Sequence, residues 1–270
     1  MKYLVGLDVG GTKCAVTVGI AREGQTPEII GKVQFPTEKG QPWKTLEGFM
    51  TELDRLLSEK KITYSDISGI GISCGGPLDS ERGVVMSPPN LPGWDNIEIC
   101  KYFTERTGAP CRLQNDANAC AVAEWKYGAG KGMKNVVFLT FGTGLGAGLI
   151  FDGRLYKGQN DMAGEIGHVR LENDGPIGYG KAGSCEGFCS GGGIRQMGVF
   201  AMREYGEKTA LYKACGGKEE NVNAKIIADL AYESDEICLN IYKKCARTSR
   251  AIFSSDISRW FFILFWSNCN

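Results

Sequence analysis

Histidine is almost missing from this chain of 270 residues, with His168 its one example. Net charge is missing altogether, because 31 Lys and Arg balance 31 Asp and Glu. Without a surplus of either sign, nothing holds the chain to nucleic acid or to an anionic membrane surface. No apolar run approaches the roughly 20 residues of a membrane span. The densest one, Trp260 to Trp266, is far too short. Met1 to Gly6 enters a strand-like run at once, which leaves no room for a signal peptide. These gaps argue against nucleic-acid and membrane partners and point to the cytoplasm. Cysteine, by contrast, is plentiful at 11. The odd total argues against a complete disulfide framework. Cys14, Cys74, Cys111 and Cys120 stand alone in apolar contexts and read as small reduced core residues. The length suffices for two modest domains with a buried core.

The motifs gather around Asn115-Asp116-Ala117-Asn118. A short apolar segment, Pro110 to Gln114, reads as a buried strand before it. Ala117 to Tyr127, rich in Ala and free of Gly and Pro, reads as a helix after it. Asp116 therefore falls at a strand-to-helix junction, where a carboxylate can cap the helix and still reach a ligand. Upstream, Tyr3 to Val9 and Cys14 to Ile20 read as a hairpin with Asp8 to Thr12 at its tip. Gly10 and Gly11 let backbone N–H groups approach a phosphate, Thr12 and Lys13 add a hydroxyl and a cation, and Asp8 suits a water-bridged magnesium ion. No helix follows, so this is not a Walker loop. Downstream, Asn135 to Thr140 and Leu149 to Asp152 read as a second hairpin around Gly142, Thr143, Gly144, Gly146 and Gly148. Two such tips with an Asp-bearing helix between them suggest a duplicated phosphate-gripping unit and phosphoryl transfer, with Asp116 taking a proton from an attacking hydroxyl. The plain alternatives are an ordinary Gly-Gly hairpin and an ordinary capping Asp.

Elsewhere the reading is mostly structural. Trp43, Leu46, Phe49, Met50, Leu53, Leu56 and Leu57 form one stripe of a helix opened by Pro42. The loop at 77–95 holds Asn90 and Trp94, which either face a ligand or knit the loop together. His168 lies three residues from Glu165 in a glycine-rich stretch, a backbone suited to a binding loop. Lys208 to Tyr242 reads as helices broken near Gly216-Gly217.

Taken together, Leu7-Asp8-Val9-Gly10-Gly11-Thr12-Lys13, Gly76-Pro77, Asn115-Asp116-Ala117-Asn118, Gly142 to Gly148 and Glu165-Ile166-Gly167-His168 resemble the ROK family of repressors, open reading frames and sugar kinases. The resemblance is collinear from residue 3 to about residue 195. It implies the α/β actin-like ATPase (ribonuclease H-like) fold, two domains around a cleft, with an N-terminal domain at 1–115 and a C-terminal domain at 116–270. It implies phosphorylation of a hexose or N-acetylhexosamine at its 6-hydroxyl with ATP and Mg2+, glucose being the first candidate, and a homodimer is common in the family. Asp116 is then the catalytic base. Gly76, Asn90, Asn115, Glu165, His168 and Glu186 are the sugar contacts with it. Asp8, Gly10, Gly11, Thr12 and Lys13 form one phosphate grip, and Gly142, Thr143, Gly144 and Gly146 the other. Two rivals remain, a sugar-binding but catalytically impaired protein and a relative of the family's regulators without a DNA-binding domain.

Two departures from the family pattern stand out. Zinc-bearing members complete a site on the histidine with three cysteines. Here Ile177, Tyr179 and Ser184 occupy those positions, and Cys185 and Cys189 lie off register, so no zinc is expected. From about Thr248 the composition turns to Ser, Phe and Trp, and the expected strand and final helix are not legible. On this reading the part that walls the adenine pocket is missing, and the aromatic cluster Trp260 to Trp266 exposes an apolar patch if it finds no groove to fill.

Overall fold

The computed structural model describes residues 2–253 and 261–266. The chain divides into two compact units, Met1–Ala123 with Lys157–Ala163, and Glu124–Tyr156 with Gly164–Asn270.

In the first unit, β1 (Lys2–Val9), β2 (Lys13–Ala21) and β3 (Glu28–Pro36) make an antiparallel meander. Helix α1 (Pro42–Lys60) follows, and β4 (Ile67–Cys74) returns parallel to β1. A short ladder of β5 (Leu78–Asp79) and β6 (Val84–Val85) precedes α2 (Ile99–Thr107). Strand β7 (Cys111–Asn115) pairs parallel with β4 and runs straight into α3 (Asp116–Tyr127). The sheet order is β3-β2-β1-β4-β7.

Alternation in β1 sends Val5, Leu7 and Val9 into one core. There they join Leu46, Phe49 and Leu53 of α1 and Ile99 and Phe103 of α2. Helix α1 opens on Pro42, whose missing N–H costs nothing in a first turn, and closes on Lys61 in the left-handed region at φ 56°. Its apolar stripe differs from the sequence reading at one end. Trp43 is 57% exposed, because in that first turn its ring meets Tyr102 of α2 at 6.2 Å instead of entering the sheet's core. Cys120, read from sequence as a core thiol, is also exposed, since it sits on the solvent side of α3. No two described cysteines form a disulfide.

In the second unit, β8 (Val136–Phe141), β9 (Leu145–Phe151) and β10 (Arg154–Tyr156) repeat the meander. A small hairpin of β11 (Ile177–Gly178) and β12 (Lys181–Ala182) leads into α4 (Cys185–Cys189) and α5 (Gly191–Tyr205). Helices α6 (Ala210–Ala214), α7 (Ala224–Tyr232) and α8 (Glu236–Phe253) follow, and Phe188, Ile194, Leu211, Ile227 and Cys238 form their shared core. Strand β13 (Phe261–Trp266) then pairs parallel with β8, from Phe261↔Val136 to Trp266↔Phe141. This corrects the reading of that stretch as a tail without a strand. The rest of the tail reading, an aromatic cluster exposing an apolar patch, concerns side chains outside those described.

The order β10-β9-β8-β13 reproduces β3-β2-β1-β4. Duplication therefore extends beyond the two hairpins to the parallel strand that follows each.

Candidate active site

The first hairpin tip lies between Val9 and Cys14, the last pair of the β1–β2 ladder. It is fastened by the residue that follows β3. Thr37 donates its hydroxyl to the Gly10 carbonyl at 2.6 Å and its N–H to the Thr12 carbonyl at 3.0 Å. Thr12 and Lys13 are left exposed at the tip. Gly11 has no room for a side chain, since a Cβ there would stand 2.6 Å from the Asn90 carbonyl oxygen. Asn90 is thereby set directly against the first tip, and its own side chain is exposed. Trp94, weighed with Asn90 in the sequence, is instead buried in the core and knits the loop.

Asp8 lies one residue before the last β1–β2 pair and opposite Ser73 of β4. It reaches solvent, yet enough protein surrounds it for desolvation to hold its carboxyl above the usual range. The Ser73 hydrogen bond pulls the other way, and the nearby Asp116 carboxylate reinforces the rise. Two carboxylates thus approach each other from the ends of β1 and β7.

At the β7–α3 junction the cap differs from the sequence reading. Asn115 is the capping residue, its Oδ1 accepting from the N–H groups of Ala117 at 3.0 Å and Asn118 at 3.3 Å. Gln114 braces it, its Oε1 accepting from Asn115 N–H at 2.8 Å and from the Asn118 side-chain amide at 3.2 Å. Asp116 is the first helical residue, exposed, with one carboxylate oxygen on Ala117 N–H at 2.8 Å. Asn115 thus takes the Asn118 N–H and shares the Ala117 N–H with Asp116, whose second carboxylate oxygen is left for other work. Gly76 completes this set, a Cβ built on it standing 3.7 Å from Asn115 Nδ2.

The second tip is tighter than the glycine pattern suggested. The β8–β9 ladder closes at Phe141↔Leu145, so only Gly142, Thr143 and Gly144 form the turn, while Gly146 and Gly148 are strand residues opposite Thr140 and Phe138. Glycine alternation in the sequence cannot reveal which glycines lie in a turn and which in a pleat. Glu186 of α4 accepts the Leu145 N–H at 3.0 Å. That carboxylate oxygen would stand 2.7 Å from a Cβ on Gly144, so the tip and the acid are packed together. From α5, Gly191 and Gly192 donate N–H groups to the carbonyls of Gly142 and Thr143.

The Glu165–His168 stretch belongs to the same unit. Ile166 packs against the Val137, Leu139 and Ala147 cluster, and Glu165 Oε2 stands 3.5 Å from His168 Nε2. Tyr179 stacks on the imidazole with ring centroids 4.0 Å apart, and Lys181 donates to the His168 carbonyl at 2.7 Å. Ser184 is buried as the cap of α4. Among the described residues, no three His, Cys, Asp or Glu side chains form a group able to hold a metal ion. None of their helices is long and apolar enough to cross a membrane.

The residues named from sequence thus gather in two sets, one in each unit. The first holds Asp8, Gly10, Gly11, Thr12, Lys13, Gly76, Asn90, Asn115 and Asp116. The second holds Gly142, Thr143, Gly144, Gly146, Glu165, His168 and Glu186. Thr37 and Ser73 were not foreseen, because each acts through a partner remote in sequence, and the stacking of Tyr179 on His168 has no mark in the sequence.

A family model described as "ROK family" matches residues 4–259. The match continues well past residues 195 and 248, where legible motifs end. The glucokinase of Thermotoga maritima is 33% identical over 242 residues, covering 88% of this chain and 72% of that protein. The crystal structure of a ROK hexokinase from Thermus thermophilus superposes with a TM-score of 0.78 at 28% identity, over 99% of this chain and 84% of the other. A ROK family glucokinase from Streptomyces griseus, solved with glucose and AMPPNP, gives 0.73 at 29% identity, over 98% and 83%. The duplicated β-meanders, each followed by its parallel strand, are accordingly the α/β actin-like ATPase fold. With the tips, the capped Asp116 and a family match spanning nearly the whole described chain, this protein belongs to the ROK family.

Proposed function

We propose that the chain is an ATP-dependent sugar kinase that phosphorylates the 6-hydroxyl of a hexose or N-acetylhexosamine, with glucose the first substrate to try. The observation that carries this reading is Asp116, an exposed carboxylate at the start of α3 that shares the capping of the helix with its neighbour Asn115 and engages it through one oxygen alone. Kinship with glucokinases supports the substrate class. The impaired-kinase alternative rested on a family pattern ending near residue 248. The family match runs on to residue 259 and a strand stands at Phe261–Trp266, which favours the active reading, and the turnover assay below decides between the two.

In this reading Asp116 accepts the proton of the sugar hydroxyl as its oxygen attacks phosphorus. Asn90 and Asn115 are the amides, and Glu165, His168 and Glu186 the carboxylates and imidazole, that this reading assigns to sugar hydroxyls. A site built to pair hydroxyls discriminates strongly against analogues that lack them. Gly10 to Lys13 and Gly142 to Gly144 offer backbone N–H groups, hydroxyls and one cation to the phosphates. The donor set suits magnesium as kinases use it, with Asp8 as a nearby carboxylate and phosphates and water completing the shell. Bound there, the ion neutralises charge on the transferring phosphoryl group.

The test is ADP release with glucose, mannose, fructose, allose, N-acetylglucosamine and N-acetylmannosamine. We expect sugar-dependent release at about 1–10³ s⁻¹ with at least one of them. In Asp116→Asn, kcat should fall at least about 10²-fold while sugar binding persists. Absence of sugar-dependent release across the panel, or near-normal turnover in the variant, overturns the reading.

A further inference from the structure

Lys157–Ala163 follows β10 of the second unit but is part of the first. The segment closes on itself, Ala163 donating its N–H to the Lys157 carbonyl at 3.1 Å. Its tip is clamped to the turn after β5. Asp161 accepts the Ser80 N–H at 2.8 Å with one oxygen and the Ser80 hydroxyl at 2.7 Å with the other. Lys157 donates to the same Ser80 hydroxyl at 3.0 Å and to Glu81 at 3.0 Å, and stands 3.7 Å from Asp161. The Asp161 side chain is only 7% exposed, so the clamp works where water competes poorly. Asp161 also holds the left-handed conformation at φ 59°, which an Asp adopts at some cost and keeps where its contacts demand it.

None of these residues belongs to the sets described above. What joins them to those sets is the chain itself. Glu165 is two residues beyond Ala163, the closed end of the clamped loop. Two residues span at most about 7 Å, so the loop's neck limits where the start of the Glu165–His168 stretch can stand.

We propose that Asp161 is a positioning residue for sugar recognition. By clamping Ser80 it fixes the neck from which Glu165–His168 departs, so sugar affinity depends on it while the Gly142–Gly144 phosphate tip, held by Glu186 and α5, does not. This inference rests on the sugar-kinase reading for its ligand.

The experiment compares the full chain with Asp161→Gly, Ser80→Ala and the double variant. Glycine suits φ 59°, so Asp161→Gly removes the carboxylate without adding backbone strain. Glucose and the other panel sugars are titrated by calorimetry, as is AMPPNP, and amide exchange is followed along the chain. We expect Asp161→Gly to weaken sugar binding about 10-fold, as misplacement of a binding group does, with AMPPNP affinity within about 2-fold. Ser80→Ala should show a smaller loss of the same kind, and the double variant should be no weaker than Asp161→Gly alone. Amide exchange should rise over residues 157–168 and stay constant over 142–146. Sugar affinity unchanged in Asp161→Gly, equal losses for sugar and AMPPNP, additive losses in the double variant, or unchanged exchange over 157–168 each overturn the proposal. A wild-type chain that binds none of the sugars removes the kinase reading and the positioning role with it, whereas exchange still reports separately whether the clamp holds the loop.

Discussion

At the scale of single residues, Asp8 is where stability and the proposed chemistry pull apart. Desolvation first, and then the Asp116 carboxylate, outweigh the Ser73 hydrogen bond and hold its carboxyl above the usual range. A carboxyl whose native pKa is raised binds its proton more tightly folded than unfolded. The resulting penalty is absent below the unfolded value of about 3.9 and grows as pH rises through the native value. Asp8→Asn is therefore expected to raise the melting temperature at pH 7, leave it unchanged near pH 3, and lower sugar phosphorylation. Thermal scans at both pH values with a matched assay check this, and a lower melting temperature at pH 7 contradicts it. Glu186 makes a second residue-scale case, because it belongs to the proposed sugar set and also holds Leu145 at the phosphate tip. Steady-state kinetics of Glu186→Ala should show KM rising for sugar and ATP together, whereas His168→Ala should raise it for sugar alone. The stack of Tyr179 on His168 suggests that ring packing orders this stretch without a metal. Elemental analysis is then expected to find well under one zinc per chain, with chelator leaving the melting temperature unchanged. Stoichiometric zinc would refute that. Most of these positions were legible because each lies in a short local pattern. Thr37 and Ser73 were not, since what they do is decided by strands far along the chain, and a ring stack such as that of Tyr179 on His168 leaves no pattern in the sequence.

At the scale of elements, the two Gly-bearing hairpins were readable because a hairpin is written in adjacent residues. Their limits were less so. Gly146 and Gly148 look like turn residues until pairing with Thr140 and Phe138 places them in β9. The capping residue was displaced by one position for a similar reason. Asn and Asp are about equally good caps, so composition alone cannot choose between Asn115 and Asp116. The geometry chooses Asn115, and a substitution there has two separable effects. Asn115→Ala removes the acceptor for two N–H groups of α3 and should cost about 1 kcal/mol by denaturant titration. It should also lower kcat, because Asp116 is the next residue along the helix. A loss of stability with turnover intact would show that Asp116 is not held by its cap. Strand β13 was hidden altogether. Its run of aromatic and branched apolar residues is a strand signal, but the abrupt change of composition around it masked that signal and its pairing partner β8 lies far upstream.

At the scale of the whole molecule, the strand order β3-β2-β1-β4 against β10-β9-β8-β13 shows one plan used twice. The second copy depends on its last strand. A chain ending at Phe253 removes the parallel partner of β8 and should lower the calorimetric transition of the second unit while leaving that of the first in place. A single transition shifted as a whole would show that the two units unfold together. The loop at Lys157–Ala163 has another consequence, in the order of events during synthesis. Ser80 leaves the ribosome 81 residues before Asp161 does. At about 5–20 residues per second that is a wait of roughly 4–16 s, far longer than a small domain needs to fold. The first unit can complete its sheet in that interval, yet it finishes only when a piece of the second half arrives. A ribosome that pauses between Ala123 and Lys157 would therefore present a nearly folded unit with the Ser80 turn bare, and pausing there should be the point at which nascent chains are most open to proteases and chaperones.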